Sequence, residues 1–341
     1  MRADPRSAIV GLAACIAVAS CSPAPSEVND RFFALGTVVE LTLYDVDPRL
    51  AAAAGALARE RLDLAMQRWS PTMDGGELAE LNQALRERGQ ASLTPMLAAE
   101  VARSLALSES SGGRFDPAIG GLVALWGFQD ESRADGPPPS EAEIAALLAH
   151  SPFHRQLTMQ PGGISATAPV QLDLGGFAKG LAAADLADAL RALGVCDGIV
   201  NLGGDLVALG RHGDRPWRVA IRDPRAVAAI AALDVSDGEA VFTSGDYERG
   251  FEYRGRWYHH ILDPATGYPS TGLRSVTVVH TEADLADAAA TALMVAGPQH
   301  WREVAAAMGV ALVMVVDDQG GIGMTDAMTD RIELINHAPA P

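Results

Sequence analysis

Asp287 and Thr291 stand four residues apart in ADLADAAATALMVAG. In a helix that spacing puts a carboxylate and a hydroxyl on one face of a segment otherwise made of Ala and Leu. Hard oxygen donors of this kind suit Mg2+, which also takes water and phosphate oxygens. A solvated helix face would carry the same pair, so the spacing alone does not decide. HHILDPATGYPS, which starts at His259, is denser in chemistry. Adjacent histidines on a strand point to opposite faces, and Asp263-Pro264 with Gly267 makes a turn. One of the two is a candidate general base near neutral pH. A paired-histidine metal site is less attractive, because no Cys or third His lies at a familiar spacing.

LDLGGFAKG, residues 172–180, packs three glycines around Lys179. It misses the Walker A pattern, because Gly180 rather than a hydroxyl follows the lysine, and it misses G-x-G-x-x-G. Gly175-Gly176 still lets backbone approach a ligand closely, and the helix that follows offers free N–H groups at its start. Lys179 is the only lysine among 26 basic residues, and its compact charge suits phosphate. A tight turn with a surface lysine is the plainer alternative.

These residues need a scaffold. The 341 residues, 48% hydrophobic, are enough for one large domain or two ordinary ones. A formal charge of −17 argues against a nucleic-acid partner. Residues 1–20 carry Arg2 and Arg6, then SAIVGLAACIAVAS, which is too short for a bilayer span. Val18-Ala19-Ser20-Cys21 follows and reads as a bacterial lipoprotein signal with lipidation at Cys21. On that reading residues 21–30 are a flexible tether and 31–335 the working domain, held by lipid at the periplasmic face of a membrane, inner or outer. Cys196 is then left without a disulfide partner, as a small core residue.

Residues 32–44 read as a strand with an early Gly-Thr break. Helices are expected over 48–67, 77–88, 94–110, 181–193 and 284–296, with a further one capped by Ser140. A loop runs over 69–76, and 134–140 is a linker candidate. Strands are expected over 217–221, 240–243, 257–262, 275–280 and 311–316, and GIVNLGGDLVALG is strand-like. Strands and helices mix without a strict βαβ rhythm, which points to an α+β or mixed α/β fold.

Taken together and in order, LGTVVELTLY, SSGGRFDPAIGGLVALWGF, LDLGGFAKG, IVNLGGDLVALG, TSGDYERGFEYRGRWYHHILDPATGYPS and SVTVVHTEADLADAAATALMVAG resemble the ApbE family, the FAD:protein FMN transferases. The resemblance implies a single large T-fold-like domain. It also implies an enzyme that binds FAD and Mg2+, cleaves the pyrophosphate, transfers FMN to a Thr or Ser hydroxyl of a partner protein, and releases AMP. Respiratory ion-pumping subunits are the family's usual targets. On this sequence it implies FAD contacts at Asp173 and Lys179, and a flavin site lined by Arg114, Phe115, Asp116 and Ile261. Mg2+ ligands would be the Gly176 and Ala290 carbonyls, Asp287 and Thr291, and His260 would be the base. Leu35 stands where the family often has Met and keeps an apolar flavin contact. The family's S-E-L appears as Gly76-Glu77-Leu78, so Trp69 is either the flavin-stacking ring or a core tryptophan. Hydrolysis of FAD to FMN and AMP is the same-class rival, and a non-catalytic flavin-binding lipoprotein is the other.

Overall fold

In the computed structural model, which describes residues 26–129 and 136–335, the segment read as one broken strand is a hairpin of β1 (Glu27–Ala34) and β2 (Thr37–Tyr44). Leu35 and Gly36 both take positive φ, 51° and 69°, the two-residue turn whose twist matches paired strands. Asp47 caps α1 (Pro48–Trp69) by accepting from the Arg49 and Leu50 N–H groups, so the expected helix runs on to include Trp69. Next come α2 (Glu77–Arg88), β3 (Gln90–Ser92) and α3 (Pro95–Ser110), the last capped by Thr94. A short α4 (Gly120–Trp126) precedes α5 (Glu141–Leu148), where Ser140 and Glu143 close the capping box. β4 (Leu157–Gln160) and β5 (Gly163–Ala166) join β3 in a small sheet.

The second half builds the site. α6 (Ala178–Leu193) starts three residues earlier than the sequence implied, so Lys179 lies in its first turn rather than before it. β6 (Asp197–Leu202) and β7 (Asp205–Leu209) form a hairpin over Gly203 and Gly204, both at positive φ. β8 (Trp217–Arg222) and β9 (Ala229–Val235) pair with each other, and β10 (Ala240–Gly245) returns to β7. β11 (Gly250–Tyr253) and β12 (Arg256–His259) form a separate hairpin. β13 (Leu273–His280) leads into α7 (Ala283–Ala307). The expected helix end at 296 is a kink: Gly297 has φ 70°, Pro298 lacks an N–H, and helix resumes beyond. β14 (Leu312–Asp317), β15 (Ile322–Met324), α8 (Asp326–Thr329) and β16 (Ile332–Leu334) complete the chain.

The central sheet has the order β1-β2-β6-β7-β10-β13-β14-β15, and every pairing is antiparallel. Alternation along its strands feeds two cores. Val207, Phe242, Val278 and Val315 pack with α1, α6 and α7. Leu206, Val241, Val279 and Met314 pack with β8 and β9 on the other face. Such strands are apolar on both faces, which is why their sequence shows little alternation. α6 meets α7 backbone to backbone: a Cβ on Gly180 would lie 2.4 Å from the Ala283 carbonyl oxygen. That contact, open only to glycine, brings the two helix starts together. Among the described residues no helix is long and apolar enough to cross a membrane. Cys21 and the signal segment lie outside the described residues, Glu27–Asp30 of the expected tether are paired strand, and Cys196, expected in the core, is exposed.

Candidate active site

Lys179 projects from the first turn of α6 and forms an ion pair with Asp205, the first residue of β7. Asp205 is buried, and its other oxygen accepts the Thr243 N–H of β10 at 2.8 Å. From α7, the buried Asp287 accepts the Gly180 N–H at 2.9 Å. One of the free N–H groups at the α6 start is therefore capped by the facing helix. One turn on, Thr291 places its hydroxyl 3.4 Å from Ser244 at the end of β10. Gly176 lies against it, since a Cβ there would come 3.1 Å from Thr291 Oγ1.

The electrostatics follow from this crowding. Burial alone would lower the pKa of Lys179, but Asp205, Asp287 and Glu248 outweigh it and raise it. Burial, then repulsion from Asp205 and Glu248, pushes Asp287 up to about 7 against the pull of Lys179. Desolvation in the cleft, with Asp205 adding to it, likewise pushes Glu248 up to about 7. Asp205, Asp287 and Glu248 thus act on Lys179, with Arg222 and Arg249 also acting on Glu248.

His260 follows β12. Its Nδ1 lies 3.1 Å from the Arg249 carbonyl oxygen, which can only accept, so the proton sits on Nδ1 and Nε2 keeps its lone pair. Burial first, then the positive charges of Arg249 and Lys179, lower its pKa to about 3. His259 points the other way, as alternation requires. It is buried, with Nε2 2.8 Å from the Ser270 carbonyl and Nδ1 accepting from Ile261 at 3.3 Å. It is a structural ring.

The residues expected to hold flavin fall into two groups. Asp173 shapes the glycine loop: its carboxylate accepts the Gly175 N–H at 2.8 Å, and its own N–H donates to the Pro117 carbonyl. Burial raises its pKa. Asn82 fixes the approach to this loop through both backbone groups of Leu172, at 2.7 and 2.8 Å. Phe115 packs beside Phe177, with ring centroids 6.3 Å apart, and borders Gly176. Ile261 is buried next to His260, and Ala290 is buried in α7. Leu35 is half-buried at the tip of the first hairpin. That tip neighbours the β6–β7 turn, where Gly203 donates to Val38.

Three others are engaged in local structure. Asp116 accepts from the Ala118 N–H at 2.9 Å, the His154 N–H at 3.1 Å and His154 Nδ1 at 2.9 Å. Arg114 reaches back to the Ser111 carbonyl at 3.3 Å. Trp69 is 7% exposed, and its indole N–H donates to Glu100 at 2.8 Å. The ring closes one wall of a groove of about 140 Å³ shared with Leu181, Ala182, Met96 and Leu64.

Asp205, Ser244 and Glu248 escaped the sequence reading. The available signals were an acid straight after Gly-Gly at the start of an apolar strand, and the Ser-Gly-Asp-Tyr-Glu run. No three His, Cys, Asp or Glu side chains converge as a metal cluster among the described residues. Asp287 and the Thr291 hydroxyl, one turn apart on α7 with Gly176 packed against Thr291, are nevertheless oxygen donors of the type that fits Mg2+.

The model of the "ApbE family" matches residues 35–314. An FAD:protein FMN transferase of Rhodobacter capsulatus is 42% identical over 330 residues, covering 94% of this chain and 61% of its own length. The chain therefore spans about three fifths of that relative. An FAD:protein FMN transferase of Klebsiella pneumoniae is 31% identical, with 93% of each chain covered. The crystal structure of an ApbE protein from Thermotoga maritima superposes with a TM-score of 0.81 at 31% identity, over 89% of this chain and 98% of that one.

Proposed function

The chain belongs to the ApbE family, and from that premise we propose that it is an FAD:protein FMN transferase whose reaction runs in the cleft between α6, α7 and the β11–β12 hairpin. The hydroxyl oxygen of a Thr or Ser on a partner protein attacks the FMN-side phosphorus of FAD. The bond from that phosphorus to the bridging oxygen breaks, AMP leaves with the oxygen, and FMN stays on the acceptor as a phosphoester. Catalysis here is chiefly positioning and charge neutralisation.

Each chain residue has a part. Lys179 and the α6 N-terminus meet the pyrophosphate charge. His260 Nε2 receives the acceptor proton and passes it to water. Its low ligand-free pKa comes from burial and nearby cations, so the anionic pyrophosphate raises it when bound. Asp287, Thr291 and the carbonyls of Gly176 and Ala290 would hold Mg2+. Bound there, the ion supplies charge neutralisation to the pyrophosphate and the departing AMP. Asp173, Phe115 and Ile261 border the flavin side, with Leu35, Trp69, Arg114 and Asp116 around it. Cys21 would anchor the enzyme by lipid at the periplasmic side.

The observation that carries the reading is convergence from three separate segments: Gly176 and Lys179 at the start of α6, Asp287 and Thr291 on α7, and Asp205 on β7. The test incubates the protein with FAD, Mg2+ and a threonine-bearing acceptor domain that a family member modifies, followed by intact-mass measurement. The acceptor should gain one FMN, and EDTA should stop the gain. Free FMN and AMP without a labelled acceptor would make the protein a pyrophosphatase. Unchanged FAD would make it a binder.

A further inference from the structure

Nothing in the proposed chemistry uses Asp205, although it is the partner of the chain's only lysine. We infer that Asp205 is a positioning residue that fixes the ammonium of Lys179 at the pyrophosphate site and sets the wall on which Ser244 and Thr291 meet. The inference rests on the transferase reading above.

Three observations support it. First, the turn that delivers Asp205 is built for the purpose. Gly203 and Gly204 both take positive φ, 71° and 106°, and the Gly204 N–H is held by the Asn201 side chain at 2.7 Å. The chain reverses in two residues and starts β7 with its carboxylate turned inward. Second, the two oxygens of that carboxylate have separate partners. One pairs with Lys179. The other accepts the Thr243 N–H at 2.8 Å, one residue before Ser244, whose hydroxyl lies 3.4 Å from that of Thr291. A single buried group therefore ties the α6 lysine to the β10 end of the proposed metal wall. Third, the space favours lysine. Nζ pairs with the buried Asp205 and feels the charges of Asp287 and Glu248 beyond it, a setting that suits a point-like ammonium better than a planar guanidinium fork. A chain that elsewhere writes arginine keeps lysine here.

Without the Asp205 charge, Lys179 turns to its remaining carboxylates, chiefly Asp287. It then leaves the pyrophosphate and competes with the metal for Asp287.

Asp205→Asn separates positioning from fold maintenance, because Asn keeps an oxygen for the Thr243 N–H and loses only the charge. The experiment is a cycle of wild type, Asp205→Asn, Lys179→Met and the double variant. It measures FMN transfer from FAD to the acceptor domain, Mg2+ half-saturation and Tm. Asp205→Asn should lower kcat/KM for FAD by roughly 10- to 100-fold, raise the Mg2+ requirement, and leave Tm within a few degrees. The double variant should be no worse than Lys179→Met alone, because Asp205 acts through the lysine. Losses that multiply, or a wild-type kcat/KM in Asp205→Asn, would overturn the inference while leaving the transferase reading intact. A wild-type protein that transfers no FMN would overturn both. Should Asp205→Asn fail to fold, Asp205→Glu takes its place in the cycle. It keeps the charge but moves it by one methylene, and the same coupling to Lys179→Met is expected.

Discussion

Asp116 and Asp287 are both acids with buried side chains beside the same glycine loop, and they are held in opposite ways. Asp116 accepts three hydrogen bonds, from the Ala118 N–H and from the backbone and ring of His154. Its lone pairs are matched by Ala118 in its own loop and by His154 from a segment 38 residues on. Asp287 accepts one, from the Gly180 N–H, and otherwise faces Lys179 and two further acids. The first is a carboxylate that completes a fold. The second is a carboxylate left short of partners in a cleft. The number and kind of partners, rather than burial, separates a structural acid from one available to a ligand.

Four substitutions and titrations test that contrast. Asp287→Ala should cost the most activity, roughly a 10³-fold loss of Mg2+-dependent transfer, because an electrostatic ligand at the reacting charge disappears. Its Tm should change by only a few degrees, since relief of like-charge crowding offsets the lost Gly180 cap. A normal flavinylation rate in this variant would remove Asp287 from the metal site. His260→Asn comes next, with a loss on the order of 10²-fold in kcat, the scale of general-base catalysis. Retained kcat would leave the ring only an orienting part.

Asp116→Ala should show the reverse pattern. It strands two N–H donors and a histidine ring, and unfolding free energy should drop by about 3 kcal/mol in denaturant titration. The fraction that stays folded should keep most of its turnover. Large activity loss at unchanged stability would give Asp116 a direct contact with the flavin.

The smallest effect is a pH slope. The pKa of His260 lies near 3 in the folded protein against an ordinary 6.5. Between those values the unfolded chain binds the extra proton, so stability falls as the pH falls through that window. His260→Asn should flatten the decline of Tm between pH 6.5 and 5. An unchanged slope would mean the ring is freely hydrated.

Much of this was legible before any coordinates. Ser140 marks a helix start by local chemistry, and the helix appears where that cap stands. Helical spacing put Asp287 and Thr291 on one face, and alternation split His259 from His260. Short-range geometry decides each of these, so a few neighbouring residues suffice. The first hairpin reads as one strand in the sequence, because Leu35 carries a positive φ that composition does not advertise.

What the sequence by itself determined is the set of reactive types and their local spacing: the lone lysine, the glycines around it, the Asp–Thr pair and the histidine before Ile261. What only the tertiary structure decided is who faces whom. Asp205 lies 26 residues from Lys179 along the chain, and Asp287 lies 107 from Gly180. Those meetings depend on sheet order, strand register and the glycine contact between α6 and α7. The physical reason is that a buried charge takes its meaning from partners across the fold, and long-range packing alone chooses them.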